Sequence, residues 1–169
     1  EPAWSESEFS SVFRNHYARV VGVLCRIVGD RTQAEELANE VFWRLYRQTP
    51  DPDGRVGGWL YRTATHLGID SLRASARRDR YERDAGKVLF GDRSAHDPLE
   101  EALRAERCRH VRAVLASLKP AHSRILLLRA SGFSYEELAG ILGVKRGSVG
   151  TMLIRAEAEF RKRYLRRKG

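Results

Sequence analysis

Ser134-Tyr-Glu-Glu-Leu-Ala-Gly-Ile-Leu-Gly-Val-Lys-Arg-Gly-Ser-Val-Gly-Thr-Met-Leu-Ile-Arg155 is the stretch from which the rest of the chain can be read. Ser134 and Glu137 have capping-box spacing, which predicts a short helix ending at Leu142. Gly143 then stands where a helix C-cap needs positive φ, a conformation that glycine adopts at little cost. A second helix is expected from near Arg146 to beyond Phe160. Ala139 lies four residues before Gly143 and Val149 six after it. Two helices crossing near a right angle need a small residue at closest approach and an apolar residue facing back from the second helix. Leu138, Leu142, Val144 and Leu153 supply the remaining apolar contacts. The pattern is a helix-turn-helix over Ser134 to Glu159, and a helical hairpin that merely packs is the plainer alternative.

In a helix-turn-helix the second helix enters the major groove by its N-terminal half, where Lys145, Arg146, Ser148, Thr151 and Arg155 are the candidates for DNA contact. Phosphate contact needs only a cation, a hydroxyl or a helix N-terminus, whereas base reading needs reach and geometry. Arg146 and Arg155 have that reach; Gly147 and Gly150 do not. A solvated basic face is the competing reading of each cation. The tail from Arg161 to Lys168 suits phosphate binding or disorder better than base reading.

The whole chain is consistent with such a unit. Its 169 residues are 42% hydrophobic and 31% charged, enough for a core and a solvated surface. The formal charge of +9 attracts polyanions, with nucleic acid and anionic membrane the two leading choices. No apolar run approaches the ~20 residues needed to cross a bilayer, so no membrane insertion is expected. Cys25 and Cys108 lie far apart without metal-ligand spacing, which predicts buried thiols and a cytoplasmic setting. His16, His66, His96, His110 and His122 are scattered, and no phosphate-cradling glycine loop or nucleophile–base pair is visible. No enzyme, metal or cofactor is expected.

Working outward, the pattern is all-α. Ser5 and Glu8 cap a first helix with Phe9, Phe13, Val20, Leu24 and Val28 at helical spacing, broken at Gly29-Asp30. Thr32 and Glu35 are expected to cap the second, whose stripe is Ala34, Leu37, Ala38, Val41 and Leu45. A Pro-, Asp- and Gly-rich loop from Thr49 to Gly58 precedes a third helix starting near Trp59 and running into the basic stretch Arg73 to Arg80. Periodicity is lost between Tyr81 and His96, a linker signal, although Val88-Leu89-Phe90 has the composition to dock. Asp97-Pro98 restarts helix, and Pro120 opens another that ends at Ser131-Gly132. The expected organisation is therefore two small helical domains, 1–80 and 97–169, joined by a flexible linker over 81–96.

The first domain carries two unusual surfaces. Glu35, Glu36 and Glu40 make an acidic helix face, suited either to a basic protein partner or to compensating a helix dipole. On the third helix Arg62, His66 and Arg73 share one side, with Trp59 and Tyr61 at its start. Aromatics beside arginines suit unstacked single-stranded bases, though such aromatics are more often core.

Together the two halves resemble the sigma factors of bacterial RNA polymerase, specifically the small two-domain extracytoplasmic-function group. Ala34-Glu-Glu-Leu-Ala-Asn-Glu-Val-Phe42-Trp-Arg-Leu45 looks like that family's core-polymerase-binding helix. Trp59-Leu-Tyr-Arg-Thr-Ala-Thr-His-Leu-Gly-Ile-Asp70 looks like the helix recognising the −10 promoter element. Leu118 to Arg124, Gly132 to Ala139 and on to Ala156 resembles the domain reading the −35 element. Asn39 stands where the family usually has glutamine, His66 where it commonly has asparagine, Lys145 at the usual small polar N-cap, and Gly150 where a basic reader is common.

The resemblance implies that Glu36, Asn39, Glu40 and Phe42 dock on the polymerase clamp helices. It implies that Arg55, Trp59, Arg62, His66 and Arg73 contact the −10 element, with the loop Asp53 to Gly58 holding a flipped base. It implies partners in core RNA polymerase (clamp helices and flap), promoter DNA and an anti-sigma factor, and a linker threading toward the RNA-exit path. The competing reading is a conventional dimeric helix-turn-helix regulator that never needs polymerase; it leaves the first domain's two surfaces unassigned.

Overall fold

The fold was taken from a computed structural model, which describes residues 4–47, 56–84 and 98–168. Among these residues there are seven α-helices and no strand: α1 (Glu6–Val28), α2 (Arg31–Tyr46), α3 (Val56–Asp84), α4 (Pro98–Ser117), α5 (Pro120–Ala130), α6 (Tyr135–Leu142) and α7 (Arg146–Lys168).

Local chemistry sets most boundaries. The Ser5 hydroxyl accepts from Glu8 N, and the Glu8 carboxylate accepts from Ser5 N at 3.1 Å, closing the capping box of α1. Gly29 ends that helix at φ 77°. The cap of α2 differs from expectation. Asp30 is the extended residue, and its carboxylate accepts from Gln33 N at 2.7 Å. Thr32 therefore falls inside the first turn, and Glu35 pairs with Arg31 at 2.8 Å.

Helix α3 is longer than its periodicity suggested at both ends. It begins at Val56, so Gly57 and Gly58, read as loop, lie in its first turn. It continues through Tyr81-Glu-Arg-Asp84, the first four residues of the expected linker. The remaining loop, 48–55, and linker, 85–97, lie outside the described residues, as does the Val88-Leu89-Phe90 segment.

α1, α2 and α3 bury Val20, Leu24, Ile27, Ala34, Ala38, Val41, Leu60, Ala64 and Ile69 against one another. α3 packs tightly on α1 at Gly68, where a Cβ would meet Ile27 Cδ1 at 2.8 Å. The Trp4 indole donates to the Leu45 carbonyl at 3.0 Å and pins the N-terminal end to α2. α5, α6 and α7 bury Ile125, Leu128, Phe133, Leu138, Val149, Leu153 and Ala156. Burial of Cys108 was expected, but its side chain is exposed because the first half of α4 stands off the body; Cys25 is half-buried.

The two halves are not merely tethered. α3 packs on α4, α5 and α6, and α1 touches α5, so one continuous core spans the chain. Phe133, fully buried in the turn between α5 and α6, meets the Tyr61 ring edge-on at 4.7 Å. The Arg19 guanidinium lies 3.9 Å from the centroid of the same Phe133 ring and pairs with Glu137 at 2.8 Å. A Cβ on Gly58 would stand 3.6 Å from the Gly140 carbonyl oxygen, so two glycines mark where backbones of the two halves come close.

Removing the Phe133 ring leaves a cavity shared by both halves. Phe133→Ala should cost about 3–5 kcal/mol in urea unfolding, whereas Leu165→Ala, at a side chain 61% exposed, should leave the midpoint nearly unchanged.

Candidate nucleic-acid interface

The helix-turn-helix is built by its caps. Ser134 N donates to Glu137 Oε2 at 2.8 Å and Glu137 N donates to the Ser134 hydroxyl at 3.2 Å, fixing the start of α6. Gly143 adopts φ 68°, and Val144 N donates to the Ala139 carbonyl at 3.1 Å, turning the chain into α7. Ala139, Val149 and Leu153 are buried in the crossing.

That packing leaves the outer side of α7 in solvent. Lys145, Arg146, Ser148, Thr151 and Arg155 are all exposed. Ser148, Thr151 and Arg155 recur at helical spacing on one side, and Ile154, 68% exposed, stands beside them. Arg146 faces Glu136 at 3.5 Å, an exposed pair of little net strength that a phosphate can displace. Gly150 is half-buried, and a Cβ there would meet the Tyr135 ring at 3.8 Å. It faces α6, so its lack of a side chain subtracts nothing from the outer face.

The residues of α3 sit differently. Arg62 Nε donates to the Ile141 carbonyl at 2.8 Å, and Arg73 Nη2 donates to the Leu118 carbonyl at 2.8 Å. His66 lies near both Arg62 and Arg124. The side of α3 read as a single-strand surface therefore faces the C-terminal half. Tyr61, 5% exposed, is core, with its hydroxyl 3.1 Å from His16 Nδ1. Trp59 packs partly against the core. Arg55 and Asp53 lie outside the described residues, and the Val56-Gly57-Gly58 part of the expected base-holding loop is helical.

On α2, Glu36, Asn39 and Glu40 are exposed, with Tyr17 Oη donating to Asn39 Oδ1 at 3.3 Å and Arg44 bound to Glu40 at 2.7 Å. Phe42 is only 2% exposed and packs edge-on against Phe13 at 4.9 Å, so it supports the surface from beneath. Sequence reading did not single out Trp43, although it lies within the quoted motif, or Tyr46. Their rings stack at 6.2 Å and, with Phe9, Phe13, Asn39 and Phe42, line an apolar groove of about 290 Å³. The available signal was their spacing: 36, 39, 40, 43 and 46 follow one side of the helix.

Comparison with known proteins adds the context of both halves. The family model for Sigma-70 region 2 matches residues 12–78, and that for Sigma-70 region 4 matches residues 109–159. The extracytoplasmic-function RNA polymerase sigma factor SigE of Mycolicibacterium smegmatis is 32% identical over 95% of this chain, which spans 61% of that relative's length. The RNA polymerase sigma factor CarQ of Myxococcus xanthus is 28% identical over 85% of this chain and 82% of its own. A solved structure of the sigma factor RpoE with the anti-sigma factor NepR from Bartonella quintana is 17% identical with a TM-score of 0.48, covering 92% of this chain and 95% of that one.

Two histidines beside the seam between the halves make the arrangement sensitive to acid. Burial, reinforced by Arg124 and Arg62 and opposed by Asp70, holds the His66 imidazole below its ordinary 6.5. Burial and then Arg19 do the same to His16, which faces Tyr61. A histidine lowered by folding binds its proton more readily when unfolded. Its contribution is thus present above the unfolded value and is lost as pH falls. Glu137 (held down first by the Ser134 amide, then by Arg19) and Glu8 (by Ser5) stay ionised until below 4.5. The urea midpoint should therefore fall from about pH 6.5 to about pH 5, and a His16→Gln, His66→Gln double variant should lose most of that slope.

Proposed function

The chain belongs to the sigma-70 family, in its extracytoplasmic-function group, and from that premise we propose that it binds core RNA polymerase and directs promoter-specific initiation. The observation that carries this reading is the presence of three chemically distinct faces on one chain: an acidic and aromatic face on α2, a basic face on α3, and an exposed polar and basic face on α7. A regulator that only held duplex DNA would use the last alone.

In this mechanism α2 seats the factor on the polymerase clamp helices. Glu36, Asn39 and Glu40 supply the polar rim, Trp43 and Tyr46 the apolar contact, and Phe42 the support beneath. Large aromatics ringed by polar groups are the composition of binding hot spots. Arg55, Trp59, Arg62, His66 and Arg73 then hold the −10 strand. Extruding a base costs a few kcal/mol, which stacking of about 1–3 kcal/mol per base and contacts to the backbone can offset. Lys145, Arg146, Ser148, Thr151 and Arg155 anchor the −35 duplex. The factor supplies recognition, bond-making stays with the polymerase, and both work in the cytoplasm. Among the described residues no helix is long and apolar enough to cross a membrane. Domains 1–80 and 97–169 are the units this reading assigns to the two elements, with an anti-sigma factor as regulator.

The decisive experiment mixes the protein with core polymerase and supercoiled genomic fragments; absence of both a complex and specific transcripts overturns the proposal. Within it, Arg146→Ala and Arg155→Ala should each weaken duplex binding about 5- to 100-fold and leave core-polymerase affinity unchanged. Trp43→Ala should do the reverse, weakening core binding at least about tenfold. Duplex affinity should also fall steeply with salt, as counterion release requires.

A further inference from the structure

Along the C-terminal part of α7 one side of the helix stands in solvent, and its composition is symmetric. Val149, Leu153 and Ala156 turn into the body, whereas Ile154 and Leu165 are 68% and 61% exposed, with Glu157, Ala158, Arg161 and Lys162 exposed between them. These six side chains line a groove of about 400 Å³. Ile154, Ala158, Arg161 and Leu165 follow one another at spacings of four, three and four residues, the repeat by which two helices pack along a common seam. The six also pair off about the point midway between Glu159 and Phe160: Ile154 with Leu165, Glu157 with Lys162, and Ala158 with Arg161. Turned end for end, the stripe presents apolar to apolar, acid to base, and its smallest side chain to its longest. The Sigma-70 region 4 match ends at residue 159, so Leu165 lies beyond it.

We propose that this stripe is a homodimer seam: two copies pair their α7 helices antiparallel about a two-fold axis, and the pairing excludes duplex DNA from the same helix. A two-fold contact requires a self-complementary patch, and a stripe whose two ends match in reverse order is one. Ala158 sets the closest approach and leaves room for the Arg161 stem of the second copy. In an antiparallel pair, like edges of the two helices meet. Glu157 shares its edge with Arg161, so each Glu157 carboxylate faces Arg161 of the second copy. Among the described residues Glu157 forms no ion pair within its own chain. A purely acidic partner would be repelled by Glu157, whereas a second copy matches it. The other edge carries Arg155 and Lys162, which oppose their counterparts, and each chain has a formal charge of +9. Salt screens this repulsion and so favours the dimer. A seam of one helix per copy is smaller than the roughly 1,200–2,000 Å² of stable interfaces, so monomer and dimer exchange. Thr151 and Arg155 border the seam, and the last turn of the second copy's α7 runs past them. The dimer itself is independent of the initiation reading; only the exclusion of duplex rests on the assignment of Thr151 and Arg155 to DNA.

Sedimentation equilibrium of the full chain tests the seam. The dimer fraction should rise with protein concentration and between about 0.05 and 0.5 M NaCl, opposite to the salt dependence of duplex binding. Leu165→Ser should weaken the dimer about tenfold or more. Glu157→Arg and Arg161→Glu should each weaken it about fivefold, and the double swap should restore it. For the exclusion, Ala158→Cys in a Cys25→Ala, Cys108→Ser background joins two copies on oxidation with diamide. The oxidised dimer should bind a mixed-sequence duplex about tenfold more weakly than the reduced protein. A chain that stays monomeric at every concentration and salt, a dimer that survives Leu165→Ser, or single charge variants that the swap does not rescue overturns the seam. Equal duplex affinity of the oxidised and reduced forms overturns the exclusion. If Leu165→Ser weakens core-polymerase binding by a chain that never dimerises, the stripe serves the polymerase and the dimer is overturned.

Discussion

The ring of Phe133 is the contact on which the arrangement of the whole molecule depends. It belongs to the turn that launches the helix-turn-helix, yet its neighbours Tyr61 and Arg19 come from the other half of the chain. A buried aromatic at a turn fixes the angle between α5 and α6 and supplies the apolar surface on which α3 and α1 rest. Around it the bonds are polar and few: Arg19 to Glu137, Arg62 to Ile141, Arg73 to Leu118. An exposed ion pair contributes about 0–1 kcal/mol and an aromatic pair about 0.5–1.5 kcal/mol beyond burial. Such a seam holds the halves together without welding them, as interfaces within a chain generally do.

Within each half the reverse holds. Capping boxes at Ser5 and Ser134, the left-handed caps at Gly29 and Gly143, and fully buried aliphatic stripes define each helix several times over. The stable units are thus the helix sets, and the soft degree of freedom lies between them. On the proposed reading, a factor that grips two promoter elements at a fixed spacing needs this division: rigid readers, and a joint that yields to the surface on which they are mounted.

Features set by local chemistry were legible in the sequence. The Ser134–Glu137 box, Gly143, and the burial of Ala139 and Val149 follow from spacing alone, because a cap or a crossing is decided within a turn or two. Asp30 was missed as the cap of α2 because Thr32 and Glu35 offer the same spacing two residues later, and only backbone conformation separates them. The ends of α3 were missed for a different reason. Gly57 and Gly58 signal a turn unless a neighbouring backbone makes small residues useful, and Gly140 is that neighbour for Gly58. Phe42 was read as a contact residue and Trp43 and Tyr46 were passed over, because an aromatic-rich helix does not announce which rings face inward. The packing of α3 on α5 and α6 left no periodic trace. It is carried by one ring, a few arginines and two glycines, far apart in sequence.

The sparse reading face of α7 now has a physical basis. Gly150 turns toward Tyr135, leaving Ser148, Thr151 and Arg155 as the side chains aligned along the helix, with Lys145 and Arg146 at its N-terminal end. Only two of these, Arg146 and Arg155, have the fork geometry for bidentate guanine recognition. Selectivity from so few readers must draw on backbone placement and on the shape and deformability of the duplex. On the proposed reading, discrimination then falls to the α3 face, where Arg62 and His66 remain exposed beside the seam.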